Sequence, residues 1–491
     1  MKLFLLLGCS LAAVPFTSPR MFAQDHTAEK QAAPAADDAG LREQVDQLKA
    51  RVEQLEGKTD RHGEASHEGD GSVIAPLARQ IKLGGQIRVR GEYRTPGDYR
   101  LPGTFGRPAA DRPHDDIDFV LLRTRLHADA ELKDHLRTFI ELQDSRSFGA
   151  EGSVLTDDEG LGLHQAYLDV DHMWDDLSLR LGRQELSYGD GRLVNALDWS
   201  NFSRTWDAAK LVYSVEGNQL DVFASIIREG VAFKPTDPNA RAADDDQNFN
   251  GIYYHNTGLQ NQEFDLYCFQ RRFGNDPFTN EEGGKGDVRD YTIGAREKGK
   301  YGALDQSFEY AYQFGNRADD QVDAWALAAV LGVTGDDLPG KPRLSLEYDF
   351  ATGDRDPTDG KIQTFDPLFP YGHFYQGFMD VFAWKNGGDL ALRLAAKPCD
   401  RWTLELALHD FRLARAEDAW YDSAGNAIRR DPAGNSGTKV GNEIDLTARV
   451  AATDNLGLYL GYGYFLPGTF VRETGDSKDM TWAFAQATVN F

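Results

Sequence analysis

From Ile81 to the end of the chain, apolar residues recur at every second position in run after run. This period of two limits the fold more than any other feature. In Ile81–Arg94, Ile81, Leu83, Ile87, Val89 and Tyr93 share one face; Lys82, Gln86, Arg88, Arg90, Glu92 and Arg94 share the other. Successive strand side chains point to opposite faces, so such a run is an extended strand with one apolar and one charged side. A single strand of this kind suits any half-buried sheet. Repetition is what discriminates, and Phe119–Leu132, Pro342–Thr352 and Gly441–Ala451 alternate in the same way. About eighteen segments can be counted, an even number, as bacterial single-chain membrane barrels have. The alternation is poorest in Asn250–His255 and Gln321–Gly332.

The connectors give an independent test. Lys133-Asp134, Asp171–Asp176, Glu216–Asn218, Lys397–Arg401 and Thr453–Asn455 are short. Thr95–Asp118, Ser145–Gly160, Gly189–Thr205, Gly230–Phe249, Gly353–Gly387 and Leu413–Val440 are long and mostly alternate with them. Short periplasmic turns alternating with long outer loops mark outer-membrane barrels. An even strand count then puts both chain ends in the periplasm. The last segment, Trp482–Phe491, alternates and ends on Phe, like the sorting signal read by the outer-membrane assembly machinery.

Composition is compatible with this reading. A length of 491 residues ordinarily suggests about three globular domains, and a mean hydropathy of −0.52 resembles a soluble protein. A barrel looks soluble on such scales because every second residue faces its lumen. No internal run is long enough for a membrane helix. The fold expected is all-β: an antiparallel transmembrane barrel of about 18 strands over residues 81–491.

Ahead of it, residues 1–23 read as a secretory signal peptide, with Lys2, an apolar run and Met21-Phe22-Ala23 as cleavage site. Residues 24–40 form a flexible leader. Within 41–57, Leu41, Val45, Leu48, Val52 and Leu55 make a short heptad seam. That seam is either a solvated amphipathic helix or an oligomerising stalk, and two heptads are marginal alone. Residues 58–80 are the linker. Cys268 and Cys399, far apart in sequence, do not make a disulfide framework.

The most distinctive stretch runs from Leu177 to Tyr213. It contains Gly182-Arg183-Gln184-Glu185-Leu186, Gly189-Asp190-Gly191-Arg192-Leu193 and Asp198-Trp199-Ser200-Asn201. Further along come Thr352-Gly353-Asp354-Arg355-Asp356, Phe365–Pro370, Gly377-Phe378-Met379-Asp380 and Gly441–Leu446. Together these resemble the bacterial alginate export family, over roughly Leu83 to Phe491. The resemblance implies a monomeric outer-membrane barrel of eighteen strands, with Asp190, Asp198, Trp199 and Asn201 in its motif loop.

If the apolar face meets lipid, the polar face lines the pore. The candidates there are Arg88, Arg90, Arg123, Arg125, Arg183, Glu185, Arg296, Arg343, Arg449 and Asp445. Arginines at these positions attract carboxylates through charge-assisted, often bidentate hydrogen bonds. Equally, they pair with lumen acids such as Glu92, Glu131, Glu347 and Asp349 and hold the wall together. Trp199, Trp206, Tyr213, Trp402, Tyr459, Tyr462, Tyr464 and Trp482 suit interfacial girdles, with sugar stacking an alternative for Trp199 and Trp206. The acidic loops (Asp244-Asp245-Asp246, Asp319-Asp320) are solvated surface or oxygen ligands for divalent cations, but match no calcium-loop spacing.

No carboxylate pair, metal-ligand cluster or phosphate loop stands out, so neither an enzyme nor a cofactor or metal is expected. The net charge of −25 argues against nucleic acid. The expected partners are outer-membrane lipid, the assembly machinery and a hydrophilic solute. The expected function is passive conduction of an acidic polysaccharide (an alginate-like polyuronate) or its fragments. A general or oligosaccharide-preferring porin for small hydrophilic solutes is the alternative.

Overall fold

A computed structural model describes residues 81–95, 99, 116–132, 135–148, 161–174, 176–228 and 246–491. The signal peptide, leader, heptad seam and linker lie outside the described residues, as does much of the connections 95–118, 145–160 and 230–249.

The first strands are β1 (Ile81–Thr95), β2 (Ile117–Glu131), β3 (Leu136–Ser147), β4 (Gly162–Trp174), β5 (Leu177–Gln184) and β6 (Trp206–Val215). Then come β7 (Asn218–Arg228), β8 (Gln247–Asn256), β9 (Gln262–Thr279), β10 (Lys285–Tyr301), β11 (Leu304–Arg317), β12 (Asp320–Thr334) and β13 (Arg343–Ala351). The next connection holds β14 (Lys361–Ile362) and the single turn α1 (Gly372–Tyr375) before β15 (Gly387–Cys399) and β16 (Trp402–Leu413). After a small hairpin of β17 (Ala419–Tyr421) and β18 (Ala427–Arg430), the wall continues with β19 (Lys439–Ala451) and β20 (Leu456–Pro467). The chain then runs through α2 (Thr469–Thr474) into β21 (Met480–Asn490).

Leaving out β14, β17 and β18, eighteen strands pair antiparallel in sequence order. The ladder closes where β21 pairs with β1, Val489 opposite Ile87 and Trp482 opposite Arg94. Closure removes the unpaired strand edges that a bilayer cannot solvate. Among the described residues no helix is long and apolar enough to cross a membrane; the crossing is made by strands.

The alternation decides which face goes where. On β13, Leu344, Leu346 and Tyr348 stand outward and exposed, while Ser345, Glu347 and Asp349 are buried inside. On β1, Ile87 and Val89 are outward, and Arg88 and Arg90 are only 3% exposed. The protein is therefore apolar on its outside and charged within, inverting a soluble domain. The two weakly alternating segments are also wall strands, β8 and β12. The outward residues of β8 near its first end are polar (Asn248, Asn250), and β12 fills its inner face with Ala324, Ala326 and Ala328. Both choices blur the hydropathy contrast without changing the backbone.

The interior is not an empty tube. Two connections, 185–205 and 352–386, fold into the lumen and bury large side chains there: Leu193, Val194, Phe365, Phe378, Met379 and Trp384 are each at most 3% exposed. They pack against inward wall aromatics such as Trp206, Phe249, Phe269, Phe411 and Phe465.

Candidate functional site: two interlocked loops held by charged wall sectors

The 185–205 loop is turned inward by its glycines. Gly189 and Gly191 adopt φ of 56° and 76°, the left-handed region that glycine enters at low cost. A Cβ on Gly189 would stand 2.9 Å from the Tyr253 hydroxyl and 3.1 Å from Arg296 Nε. The loop therefore lies against the wall only if that position has no side chain.

On β1 and β2 the wall offers a ladder of guanidiniums. Arg88 and Arg123 are register partners, with Arg90 one step along on one side of the pair and Arg125 one step along on the other. Arg88 donates to the Asp198 carbonyl (2.5 Å) and the Ser200 carbonyl (2.9 Å). Arg123 donates to the same two carbonyls, and its Nη2 lies 2.8 Å from the Asp198 carboxylate. Arg125 reaches that carboxylate at 3.2 Å and Ser203 Oγ at 2.8 Å. Arg90 pairs with Glu92, donates to the Trp199 carbonyl (2.6 Å) and lies over the Trp199 indole, 3.7 Å from its centroid. Asn201 fastens the far end of the segment by donating to the Leu122 and Arg146 carbonyls. The four guanidiniums face four carboxylates, Glu92, Glu141, Glu185 and Asp198, and loop carbonyls take the donors those acids leave over.

The second loop meets the opposite chemistry. Asp445 accepts from Phe378 N–H (3.2 Å), Glu443 from Met379 N–H (3.0 Å) and Asp349 from Gln376 Nε2 (2.8 Å). Gly377, at φ 84°, is again obligatory, because a Cβ there would run into the Glu443 carboxylate. Carboxylates on β13 and β19 thus bind loop amides, as guanidiniums on β1 and β2 bind loop carbonyls. Between the sectors, Arg192 from the first loop pairs with Glu347 and with Asp349 (2.5 Å) and stacks over Tyr375. Burial disfavours its charge, but the two acids outweigh burial and raise its pKa.

The loops also hold each other. Val194 and Phe369 form a parallel bridge. Tyr371 N–H donates to the Gly191 carbonyl, the Tyr375 hydroxyl to the Asp190 carbonyl (2.6 Å), and Arg204 to the Pro370 carbonyl (2.8 Å). Burial lowers the Arg204 pKa to about 10. Leu197, Ser203, Leu368 and Asp380 sit at positive φ without being glycine. Such backbone is costly and persists only where its surroundings over-determine it.

On the short-turn side of this plug lies a cavity of roughly 1010 Å³. Its lining includes Asp190, Arg192, Lys298, Arg343, Arg393 and Tyr375. Arg296 is buried beside it, bonded to Asp265 (2.5 Å), Asp190 and Glu263. Arg296 and Lys298 outweigh the burial of Asp190 and hold its carboxyl below the usual range. Arg343 pairs with Asp305 (2.5 Å), and Arg449 bonds the Tyr459 hydroxyl (2.9 Å).

Most of the residues expected to line the pore therefore do face inward, Glu185 among them, its carboxylate 2.9 Å from His164. Arg183 does not. It pairs across the ladder with Asp207 in the row that continues Leu181 and Leu211, on the outward face. The alternation of β5 places Arg183 with Leu177, Leu179 and Leu181, so its own parity carried the answer and the motif obscured it. The aromatic girdle divides likewise. Tyr213, Trp402 and Tyr462 are exposed outward, whereas Trp206 and Trp482 are buried inside and Trp199 and Tyr459 pack in the lumen. Residues not singled out from sequence include Arg204, His373, Trp384 and Arg393. They sit in loops or amid ordinary alternation, where nothing local marks them. Among the described residues no three His, Cys, Asp or Glu side chains converge as a metal site, and Cys268 and Cys399 are free thiols.

A closed antiparallel wall, apolar outside, charged within and partly filled by its own loops, defines a porin-like outer-membrane channel protein. The chain belongs to the alginate export family, whose model matches residues 79–485. Its fold is similar to Pseudomonas aeruginosa OccK10 (OpdN), with a TM-score of 0.53 and 12% identity, covering 84% of this chain and 99% of that one. OccK3 (OpdO) of the same organism gives 0.52 and 12%, over 86% and 99%. OccK11 (OpdR) gives 0.51 and 14%, over 83% and 96%. No curated protein matches this sequence.

Proposed function

We propose that the barrel passively conducts an acidic polysaccharide, a polyuronate of the alginate kind, or its fragments. The observation that carries this reading is the Arg88–Arg123–Arg125 cluster around the Asp198 carboxylate. A carboxylate flanked by oxygen acceptors is what a uronate presents, so loop and solute are alternative occupants of one ladder. Each exposed pairing contributes only about 0–1 kcal/mol, and a confined pore strengthens it. Transport needs such weak, repeated contacts, favourable enough to enter and weak enough to leave. The family membership supports the substrate class. A diffusion porin for small hydrophilic solutes is the second reading, favoured by the mixed charges around the 1010 Å³ cavity.

The test is current block in a planar bilayer. Oligouronates should block in a dose-dependent way and neutral oligosaccharides should not. Arg88→Ala with Arg123→Ala should weaken the block and shift selectivity toward cations, while Arg183→Ala, outward-facing, should leave both unchanged. Equal block by neutral and acidic sugars, with no effect of the lumen variants, favours the porin reading.

The same proposal puts the long connections outside the cell, both chain ends in the periplasm, and Phe491 as the residue read during assembly. Whether Leu41–Leu55 assembles copies is tested by Leu48→Asp with Val52→Asp. A wild type already monomeric in mild detergent rules the stalk out.

A further inference from the structure

The rim from which the long connections leave carries a smaller cavity of roughly 360 Å³, away from the arginine ladder. It lies where the rim of β9–β12 meets the connections 352–386 and 414–438. Ligand pockets start at about 300 Å³, so this one suits a single small molecule and not a polymer. Its polar lining comes from residues far apart in sequence. Glu281, on the β9–β10 turn, accepts from Gly360 N–H (2.7 Å), which ties the 352–386 connection to the rim. Glu281 N–H in turn donates to Asp320 at the start of β12 (2.9 Å). Asp354 N–H and the Thr364 hydroxyl donate to Asp418 (3.0 and 2.5 Å), which also pairs with Arg430 (3.0 Å).

The charges of the lining do not cancel. Arg430 is spent on Asp418, and Lys385 donates to the Gly425 carbonyl (3.2 Å). Among the described residues no cation is bonded to Glu281, Asp320, Asp354 or Glu417. Burial and the neighbouring acids raise the Glu281 and Asp354 carboxyls. Against these acids stands one unmet donor. Arg317, at the end of β11, gives Nε to Asp290 (2.7 Å) and holds Nη1 3.6 Å from Asp366. Its Nη2 has no partner, although the residue lines the cavity and is only 7% exposed.

Carboxylates only accept hydrogen bonds and guanidiniums only donate them, so a ligand that touches both must do both. Four uncompensated acids repel an anion. A metal cation leaves Arg317 Nη2 unmet, and no metal-binding set converges here among the described residues. Neighbouring hydroxyls on a sugar ring meet the requirement, since each donates once and accepts through two lone pairs. Their bonds to charged partners are the stronger kind, and Phe278 and Pro357 give apolar surface to the C–H face of the ring. We infer that this cavity binds one neutral pyranose, whose hydroxyls donate to Glu281 and Asp320 and accept from Arg317 Nη2. It is separate from the polyuronate path proposed above, and it rejects acidic sugars by charge.

The experiment is saturation-transfer NMR on the full barrel, in a mild detergent without a sugar headgroup. The probes are methyl glucoside, methyl mannoside, methyl galactoside and glucuronate. At least one neutral glycoside should bind. Its binding should weaken about tenfold in Glu281→Gln with Asp320→Asn, and in Thr279→Trp, which fills the cavity from its rim. Arg88→Ala with Arg123→Ala should leave it unchanged, which separates this site from the lumen ladder. Glucuronate is compared in that same arginine-free chain, where it should bind about tenfold more weakly than the neutral glycoside. Heat-modifiable gel migration shows whether each variant is folded, and the folded ones decide. Binding that survives the cavity variants, or that falls with Arg88 and Arg123 instead, overturns the site. Equal binding of glucuronate overturns the choice of a neutral ring. No saturation of any neutral glycoside on wild type overturns the inference as a whole.

Discussion

The indole of Trp199 lies on the imidazole of His373, with ring centroids 4.0 Å apart and planes 13° from parallel. One residue comes from the connection after β5 and the other from the connection after β13, so this stack is where the two inserted loops meet. Trp199 also carries Arg90 over its ring, and His373 Nδ1 lies 3.0 Å from the Asp380 carboxylate. A guanidinium, an indole, an imidazole and a carboxylate thus run from the wall through both loops.

Removing the indole should unlock them. An aromatic pair contributes about 0.5–1.5 kcal/mol and a cation–π contact about 0.5–2 kcal/mol, so Trp199→Ala should weaken docking by about 1–3 kcal/mol. Since 1.4 kcal/mol is about tenfold, open-channel probability in bilayer recordings should rise roughly tenfold or more while the barrel stays heat-modifiable. Unchanged conductance would mean the stack does not hold the loops in place.

Gly377→Ala should release the second loop from the other side. The new Cβ meets Glu443 and must adopt a φ of 84°, a strain of about 1–3 kcal/mol. Limited proteolysis should cut within 372–386 faster than in wild type. Shortening the obstacle with Glu443→Ala in the same chain should recover part of the protection. A Gly377→Ala chain as resistant as wild type would count against the steric account.

Three carboxyls of the two loops should keep their charge across the neutral range. In Asp190, Asp366 and Asp380 burial opposes ionisation. It is outweighed by Arg296 and Lys298, by Arg271 and Arg317, and by His373, respectively. All three carboxyls are thereby held below the usual carboxylate range. A carboxyl depressed in the folded state stabilises it fully above the unfolded pKa, about 3.9, and that stabilisation is lost as pH falls through the depressed value. The difference in conductance between wild type and an Asp190→Asn, Asp366→Asn chain should therefore be constant from about pH 5 upward and vanish only below about pH 4. A difference that changes steeply near neutrality would show that these carboxyls are not held ionised.

The two faces of one strand should tolerate substitution unequally. Leu346, 50% exposed near the middle of β13, faces lipid, so Leu346→Arg should destabilise the folded barrel by about 2–4 kcal/mol. Its effect should appear in the urea midpoint of folding into vesicles. Its neighbour Ser345 faces inward at 2% exposure, and Ser345→Ala should move that midpoint by less than about 1.5 kcal/mol. Equal shifts would contradict the inside-outside assignment.

The barrel was written in the sequence because strand periodicity is local. Each residue of Ile81–Thr95 declares its face by parity alone, and eighteen such declarations force closure once no edge can be left in lipid. Even Arg183 declared itself outward, on the side of Leu179 and Leu181. The plug was not legible, because it depends on residues far apart in sequence. Arg88 meets Asp198, 110 positions away, and Arg192 meets Glu347, 155 away. The same inward arginine alternates identically whether it greets a solute, a lumen acid or a loop carbonyl. Only the tertiary fold decides which, because a guanidinium has five donors and takes whichever acceptors the returning chain brings within reach.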